Sequence, residues 1–271
     1  MRNILFVFLL LVVSTANAAT VDTVSIYSSS MKKEIKCVVI KPDIKAEAVS
    51  YPVVYLLHGH GGRFDNWIKM VPQLKKHADQ YNLLIVCPDG QSSSWYFDSP
   101  IDSAMRYETY ISKEVPEYID AHYPTIKNRK GRAITGLSMG GHGGLFLGFR
   151  HSDFFGACGS MSGALLIEYI SDKRYNIHLR LGDSANKKLY RDHSIIGQME
   201  KGWKDSLAVI IDCGTEDFIF QMSKMVHEKM TQLKIPHDYI ERPGKHDWKY
   251  WTNAVQYQLL FFRNYFDRQS K

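Results

Sequence analysis

The short segment Arg132-Ala133-Ile134-Thr135 runs into Gly136-Leu137-Ser138-Met139-Gly140, and a helix-compatible stretch from Gly140 to Phe149 follows without a spacer. Few folds turn a strand directly into a helix at a glycine-flanked serine. Glycines on both sides permit the sharp reversal, and Gly141, Gly143 and Gly144 allow close packing of the helix. Such an elbow raises the serine side chain above the strand ends, at a helix N-terminus.

The rest of the chain supplies a matching scaffold. Val53-Val54-Tyr55-Leu56-Leu57 and Leu83-Leu84-Ile85-Val86 are continuously apolar, as strands buried on both faces are. Helical spacing separates them, from Trp67 to Gln80. An amphipathic segment from Ile101 to His122 precedes the elbow. Beyond it come strands at Gly156 to Met161, Leu207 to Cys213 and His237 to Glu241, a helix from Phe218 to Leu233, and a final aromatic-rich helix. At the front, Val21 to Tyr27 and Lys33 to Lys41 alternate across Ser28-Ser29-Ser30, as an antiparallel hairpin does. The expected fold class is α/β: a mostly parallel central sheet with an N-terminal antiparallel hairpin and helices on both faces. Residues 164–204 break the pattern and read as a cap-like insertion over the active end of the sheet.

Arg2, the apolar run Ile4 to Val13 and Ala16-Asn17-Ala18 have the layout of an export signal. Residues 1–18 are therefore expected to be removed, leaving 19–271 as one domain, periplasmic or extracellular. No later segment has the roughly 18 unbroken apolar residues of a membrane helix. Removal of Arg2 takes the formal charge from +6 to +5. The basic residues are interspersed with acids, which gives no nucleic-acid stripe. Cys37, Cys87, Cys158 and Cys213 lie mostly in strand-like apolar runs and are expected as free core thiols, with disulfides the alternative that export would permit.

A serine hydroxyl needs a base to become a nucleophile at neutral pH. His246 sits in Arg242-Pro243-Gly244-Lys245-His246-Asp247-Trp248, a turn after the last strand, at the edge where open α/β sheets bind ligands. An acid must orient that imidazole and stabilise its charged form. Asp212, Glu216 and Asp217 crowd one strand end. Asp212 lies within the apolar run, so Asp217 is the choice and Glu216 the fallback. Two backbone donors must receive the oxyanion. The N–H of Met139 follows the nucleophile, and the glycine-rich Leu57-His58-Gly59-His60-Gly61-Gly62 offers the N–H of His60.

Five motifs together resemble one family: Leu57-His58-Gly59-His60-Gly61-Gly62, Pro88-Asp89-Gly90, Gly136-Leu137-Ser138-Met139-Gly140-Gly141, Gly214-Thr215-Glu216-Asp217 and Gly244-Lys245-His246-Asp247-Trp248. They span nearly all of the mature chain. The family is the esterase group of the α/β-hydrolase superfamily that includes esterase D, S-formylglutathione hydrolase, feruloyl esterases and the antigen 85 mycolyltransferases. Gly244-Lys245 replaces the doubled glycine often found before the family's histidine. The resemblance implies carboxylic-ester hydrolysis, a catalytic Asp at the position of Asp217 and oxyanion donors at His60 and Met139. Export makes the cytosolic formylglutathione activity a poor match.

The expected function is a secreted serine esterase that works through a covalent acyl-enzyme, without cofactor or metal. Its expected substrates are feruloyl, acetyl or other short acyl esters of polysaccharide-derived molecules. Two alternatives stand beside it: acyl transfer to a sugar hydroxyl, and a non-catalytic carbohydrate- or protein-binding module on a hydrolase scaffold. His58-Gly59-His60 has metal-ligand character, but no third ligand cluster accompanies it. His142 is expected to pack locally. Trp95 and Tyr96, on a loop after a strand, are candidate substrate contacts together with Trp248. Asp98, Arg174 and Arg180 are further candidates to face substrate, with a solvated surface position the preferred reading for each.

Overall fold

The computed structural model describes residues 19–43, 50–170, 172–200 and 207–269. Within them the apolar runs form one eight-stranded sheet. Its strands are β1 (Thr20–Ser28), β2 (Lys33–Lys41), β3 (Val53–Leu57), β4 (Leu84–Pro88), β5 (Arg132–Gly136), β6 (Ala157–Met161), β7 (Ala208–Gly214) and β8 (Asp238–Arg242). The spatial order is β1-β2-β4-β3-β5-β6-β7-β8. β1 and β2 make the expected antiparallel hairpin, with Val24 opposite Cys37, and β2 adds antiparallel to β4. From β4 to β8 every pairing is parallel.

Burial on both faces explains the continuous apolarity. Side chains alternate across a strand, so Val53, Tyr55 and Leu57 enter one core while Val54 and Leu56 enter the other. The first core holds Phe146 and Leu145 of the helix after the elbow. The second holds Trp251, Val255 and Phe262 of the C-terminal helix. Strand order reverses around β3, which has β4 on one side and β5 on the other. Open α/β sheets hold their ligands in the crevice that such a reversal leaves beyond the strands' carboxyl ends.

Three sequence expectations change in detail. The helical stretch from Trp67 to Gln80 is two helices, Asn66–Met70 and Leu74–Tyr81. Pro72 disfavours the helical conformation for the residue before it, and Val71 adopts φ −131°, ψ 67°. The segment from Ile101 becomes helical only at Tyr107 and passes through a π-helical turn, Tyr110–Glu114, before Val115–His122. Pro116 has no N–H for the carbonyl of Ser112 four residues back, which accounts for a widened turn at this point. Finally, the described part of the segment expected as an insertion, 164–204, is a series of short helices, among them Asp172–Tyr175, His178–Leu181 and Lys187–Asp192. Its last stretch, 201–204, and the expected export signal, 1–18, lie outside the described residues.

Arg180 is not a solvated side chain. It is buried, donates from Nε to the carbonyl of Ser93 at 3.0 Å, and lies 3.5 Å from Asp102. It thereby pins the short helix His178–Leu181 to the loop after β4. Asp98 likewise is engaged, with Arg106 at 2.9 Å and the Thr109 N–H at 2.9 Å. All four cysteines are free and buried. Burial raises their thiol pKa values, that of Cys213 to about 12.

Candidate active site

Ser138 stands where β5 meets the helix Met139–Arg150, at φ 54°, ψ −116°. A non-glycine residue held there costs about 1–3 kcal/mol, so the surroundings must enforce it. Close backbone approach does so. A Cβ on Gly140 would fall 2.5 Å from the carbonyl oxygen of His58, and one on Gly136 would fall 2.6 Å from that of Gly140. The Ser138 N–H donates to Met161 at 3.0 Å, and its carbonyl accepts from the N–H groups of His142 at 3.0 Å and Ala164 at 3.2 Å.

The turn after β8 brings His246 to this serine, with Nε2 3.0 Å from the Ser138 Oγ. On the other side of the ring, Nδ1 lies 2.8 and 3.0 Å from the two carboxylate oxygens of Asp217. A carboxylate can only accept here, so Nδ1 carries the proton and Nε2 is free to accept from the serine hydroxyl. Phe218 and Trp251 flank the imidazole, with centroids at 4.8 and 4.9 Å. Residues 108 positions apart thus form one proton path.

The three acids at the end of β7 have different fates. Asp217 is buried, and its Oδ1 also accepts from the N–H of Ile219 at 3.0 Å. Glu216 points outward, 3.9 Å from the Lys245 ammonium. Asp212 is fully buried behind the site, bonded to Tyr250 and Arg242. Burial raises its pKa to about 6, against the opposing influence of Tyr250 and Arg242.

The loop after β3 is tied down on several sides. His58 donates from Nδ1 to the carbonyl of Gly59 at 2.8 Å and accepts from the Gly90 N–H at Nε2, also at 2.8 Å. Its ring is therefore neutral, in keeping with a pKa lowered by burial. The Gly61 N–H donates to Ser92 at 2.7 Å. Met139 begins its helix, where an N–H has no carbonyl four residues back. Among the described residues, the N–H groups of His60 and Met139 are both without a hydrogen-bond partner. His60 lines the same cleft as Ser138, and Met139 follows that serine directly; a developing oxyanion needs two backbone donors of this kind.

Ser138 and His246 open into a cleft of about 480 Å³, walled by His60, Trp95, Trp248 and Trp251 together with Tyr175 and Phe218. Trp67 stands edge-on against Trp248 behind this wall, 5.3 Å between centroids. Tyr96, expected as a substrate contact, is not part of the cleft. Its side chain is fully buried, and its hydroxyl donates to the carbonyl of His58 at 2.8 Å. Trp95 and Tyr96 both have positive φ, 57° and 61°, which folds their loop inward. His142 is buried and bonded from Nε2 to the carbonyl of His193 at 2.7 Å.

Tyr175 and Phe218 escaped sequence reasoning. Phe218 adjoins Asp217 and was findable on that ground, whereas nothing local marks Tyr175 within the insertion. Among the described residues, no three His, Cys, Asp or Glu side chains converge on a metal-sized site, and no helix is long and apolar enough to cross a membrane.

Comparison with known proteins identifies the family and the fold. The family model described as "Putative esterase" matches residues 28–262. The acetyl esterase of Caldicellulosiruptor saccharolyticus is 25% identical over 252 residues, covering 86% of this chain and 94% of its own. A ferulic acid esterase of known structure superposes with a TM-score of 0.79 at 28% identity, covering 91% of this chain and 99% of its own. An S-formylglutathione hydrolase from Agrobacterium tumefaciens shares the fold, with a TM-score of 0.82 at 20% identity over 93% of this chain and 98% of its own.

Proposed function

This chain belongs to the "Putative esterase" family and is a carboxylic-ester hydrolase, and we propose that Ser138, His246 and Asp217 carry its reaction through a covalent acyl-enzyme. The observation that supports this most directly is the continuous path from the Ser138 Oγ through His246 to Asp217, with steps of 3.0 and 2.8 Å.

The reaction begins as His246 Nε2 takes the serine proton while Oγ attacks the ester carbonyl carbon. Negative charge moves to the carbonyl oxygen, which the N–H groups of His60 and Met139 receive. Asp217 stays ionised and stabilises the imidazolium. Collapse of the tetrahedral adduct breaks the bond to the alcohol oxygen, and His246 returns the proton to that leaving group. Water then enters, gives its proton to His246 and attacks the acyl carbon. A second collapse releases the carboxylic acid and restores the serine.

The acyl group proposed is acetyl, feruloyl or another short or aromatic acyl chain. Support comes from the aromatic walls of the cleft and from the acetyl esterase and ferulic acid esterase relatives. The expected result is that S138A loses hydrolysis of 4-nitrophenyl acetate by a factor on the order of 10⁴ or more. Unchanged turnover by purified, folded S138A would exclude the mechanism.

Export is part of the same proposal. The N–H of Ala19 donates to the Asp79 carboxylate at 2.9 Å. Cleavage after Ala18 would convert that donor into an ammonium beside the same carboxylate. The intact mass of the protein purified from its native host checks this, and a mass that includes residues 1–18 would refute it.

A further inference from the structure

Around the Ser138 hydroxyl the cleft is nearly devoid of charge. No Asp or Glu is among its described lining residues. Burial lowers the pKa of His60 and so disfavours its charged form, and Asp217 is screened behind His246. One permanently charged side chain lines the cleft among the described residues, and it is Arg174 of the short helix Asp172–Tyr175.

Most arginines in this molecule are neutralised. Arg106, Arg132 and Arg150 each meet a carboxylate at 2.5 to 2.9 Å, and Arg242 meets Asp212. Arg174 has no acidic partner among the described residues. Its guanidinium lies over the ring of Tyr175, 5.4 Å from the centroid. That ring is itself fixed, edge-on to His60 at 5.3 Å and to Trp95 at 6.5 Å. The Tyr175 carbonyl accepts from the Trp95 indole N–H at 2.9 Å. A guanidinium resting on an aromatic face keeps the N–H groups along its edge available, in a fork that matches a carboxylate.

We propose that Arg174 is a specificity-determining residue that receives a carboxylate carried by the ester substrate elsewhere than at its scissile carbonyl. One unpaired cation, with no second cation among the described lining residues, suits a monoanion better than a phosphate dianion. The carboxylate can belong to the acyl part, as in a half-ester of a dicarboxylic acid, or to the alcohol part, as in an acylated uronic acid. This inference rests on the esterase reading above and adds the charge of the substrate to it.

The test compares matched esters. The acyl arm pairs 4-nitrophenyl hemisuccinate with 4-nitrophenyl butyrate, and the alcohol arm pairs an acetylated methyl glucuronoside with the acetylated methyl glucoside. The readout is the preference, the ratio of kcat/KM for the anionic ester to that for its neutral partner, in the wild-type enzyme and in R174Q and R174K. In one arm the wild-type enzyme should favour the anion, and R174Q should reduce that preference about tenfold, the scale of a lost charge-assisted hydrogen bond. R174K should fall between them, and added salt should erode the wild-type preference but not that of R174Q. The arm that responds identifies which side of the ester carries the charge. A wild-type enzyme indifferent to charge in both arms, or a preference equal in wild type and R174Q, would overturn the proposal. The esterase reading fails separately, if the wild-type enzyme cleaves none of the four esters or S138A cleaves them equally well.

Discussion

The backbone N–H of Glu216 donates to the carbonyl oxygen of Gly244 at 3.0 Å, and the Thr215 N–H donates to Arg242 at 2.9 Å. The turn bearing Asp217 and the loop bearing His246 are therefore one hydrogen-bonded unit. Their contact is too close for side chains, since a Cβ on Gly214 would fall 2.3 Å from the same Gly244 oxygen. Glu216 serves this junction through its main chain while its carboxylate faces outward toward Lys245.

That division of labour separates two neighbouring acids experimentally. D217N should reduce kcat on the order of 10⁴-fold with a modest change in KM, because an amide favours the wrong imidazole tautomer. E216Q should retain activity within about threefold, as exposed ion pairs contribute little. Steady-state kinetics on both variants, with folding checked by circular dichroism, decides the matter. Comparable losses in the two would contradict the assignment of the acid.

Tyr96 and Trp248 should separate along different lines. Y96F leaves the His58 carbonyl without its phenolic donor, a loss of about 1–3 kcal/mol for a buried acceptor. The expected signature is a melting temperature lower by several degrees with KM preserved. W248A removes part of the cleft wall and should raise KM for an aryl ester several-fold. Calorimetry and initial rates check both, and a raised KM in Y96F would return Tyr96 to the cleft.

His142 gives the fold a pH dependence whose sign is fixed. It is fully buried, and burial lowers its pKa to about 3, with the bond to the His193 carbonyl opposing in part. An unfolded histidine titrates near 6.5. Between those values the unfolded chain binds a proton that the native chain refuses. The stability from this group is thus complete above pH 6.5 and declines as pH falls toward 3, by up to about 1.4 kcal/mol per unit. His58, also buried and lowered, acts in the same direction. Denaturant melts between pH 8 and 5 should show a shallower slope for H142Q than for wild type. Identical slopes would mean that the imidazole titrates freely in the folded protein.

The sequence displayed the strands because burial on both faces requires continuous apolarity, as at Val53–Leu57. It displayed the elbow because only small residues fit at 136 and 140, where backbones nearly touch. His246 and Asp217 were readable as loop residues just beyond strands β8 and β7. What it hid depends on direction rather than composition. Nothing in Trp95-Tyr96 announces two successive positive φ values, which send one ring to the cleft wall and the other into the core. Nor does a polar insertion reveal that Arg180 turns inward to Ser93 while Arg174, six residues earlier, is left at the cleft. Pro72 and Pro116 stand within stretches whose apolar spacing is helical on either side, and that spacing hid the interruptions they cause.

The sulfur chemistry of this chain carries a last consequence. With every thiol sealed and none joined to another, reductants find no disulfide to cleave in the native enzyme, and thiol oxidants find no accessible cysteine. Denaturation inverts the situation, because four reactive sulfurs enter solvent on a single polymer and any linkage they form is foreign to the final architecture. Recovery from denaturant should accordingly depend on the redox poise of the buffer, while the finished enzyme disregards it.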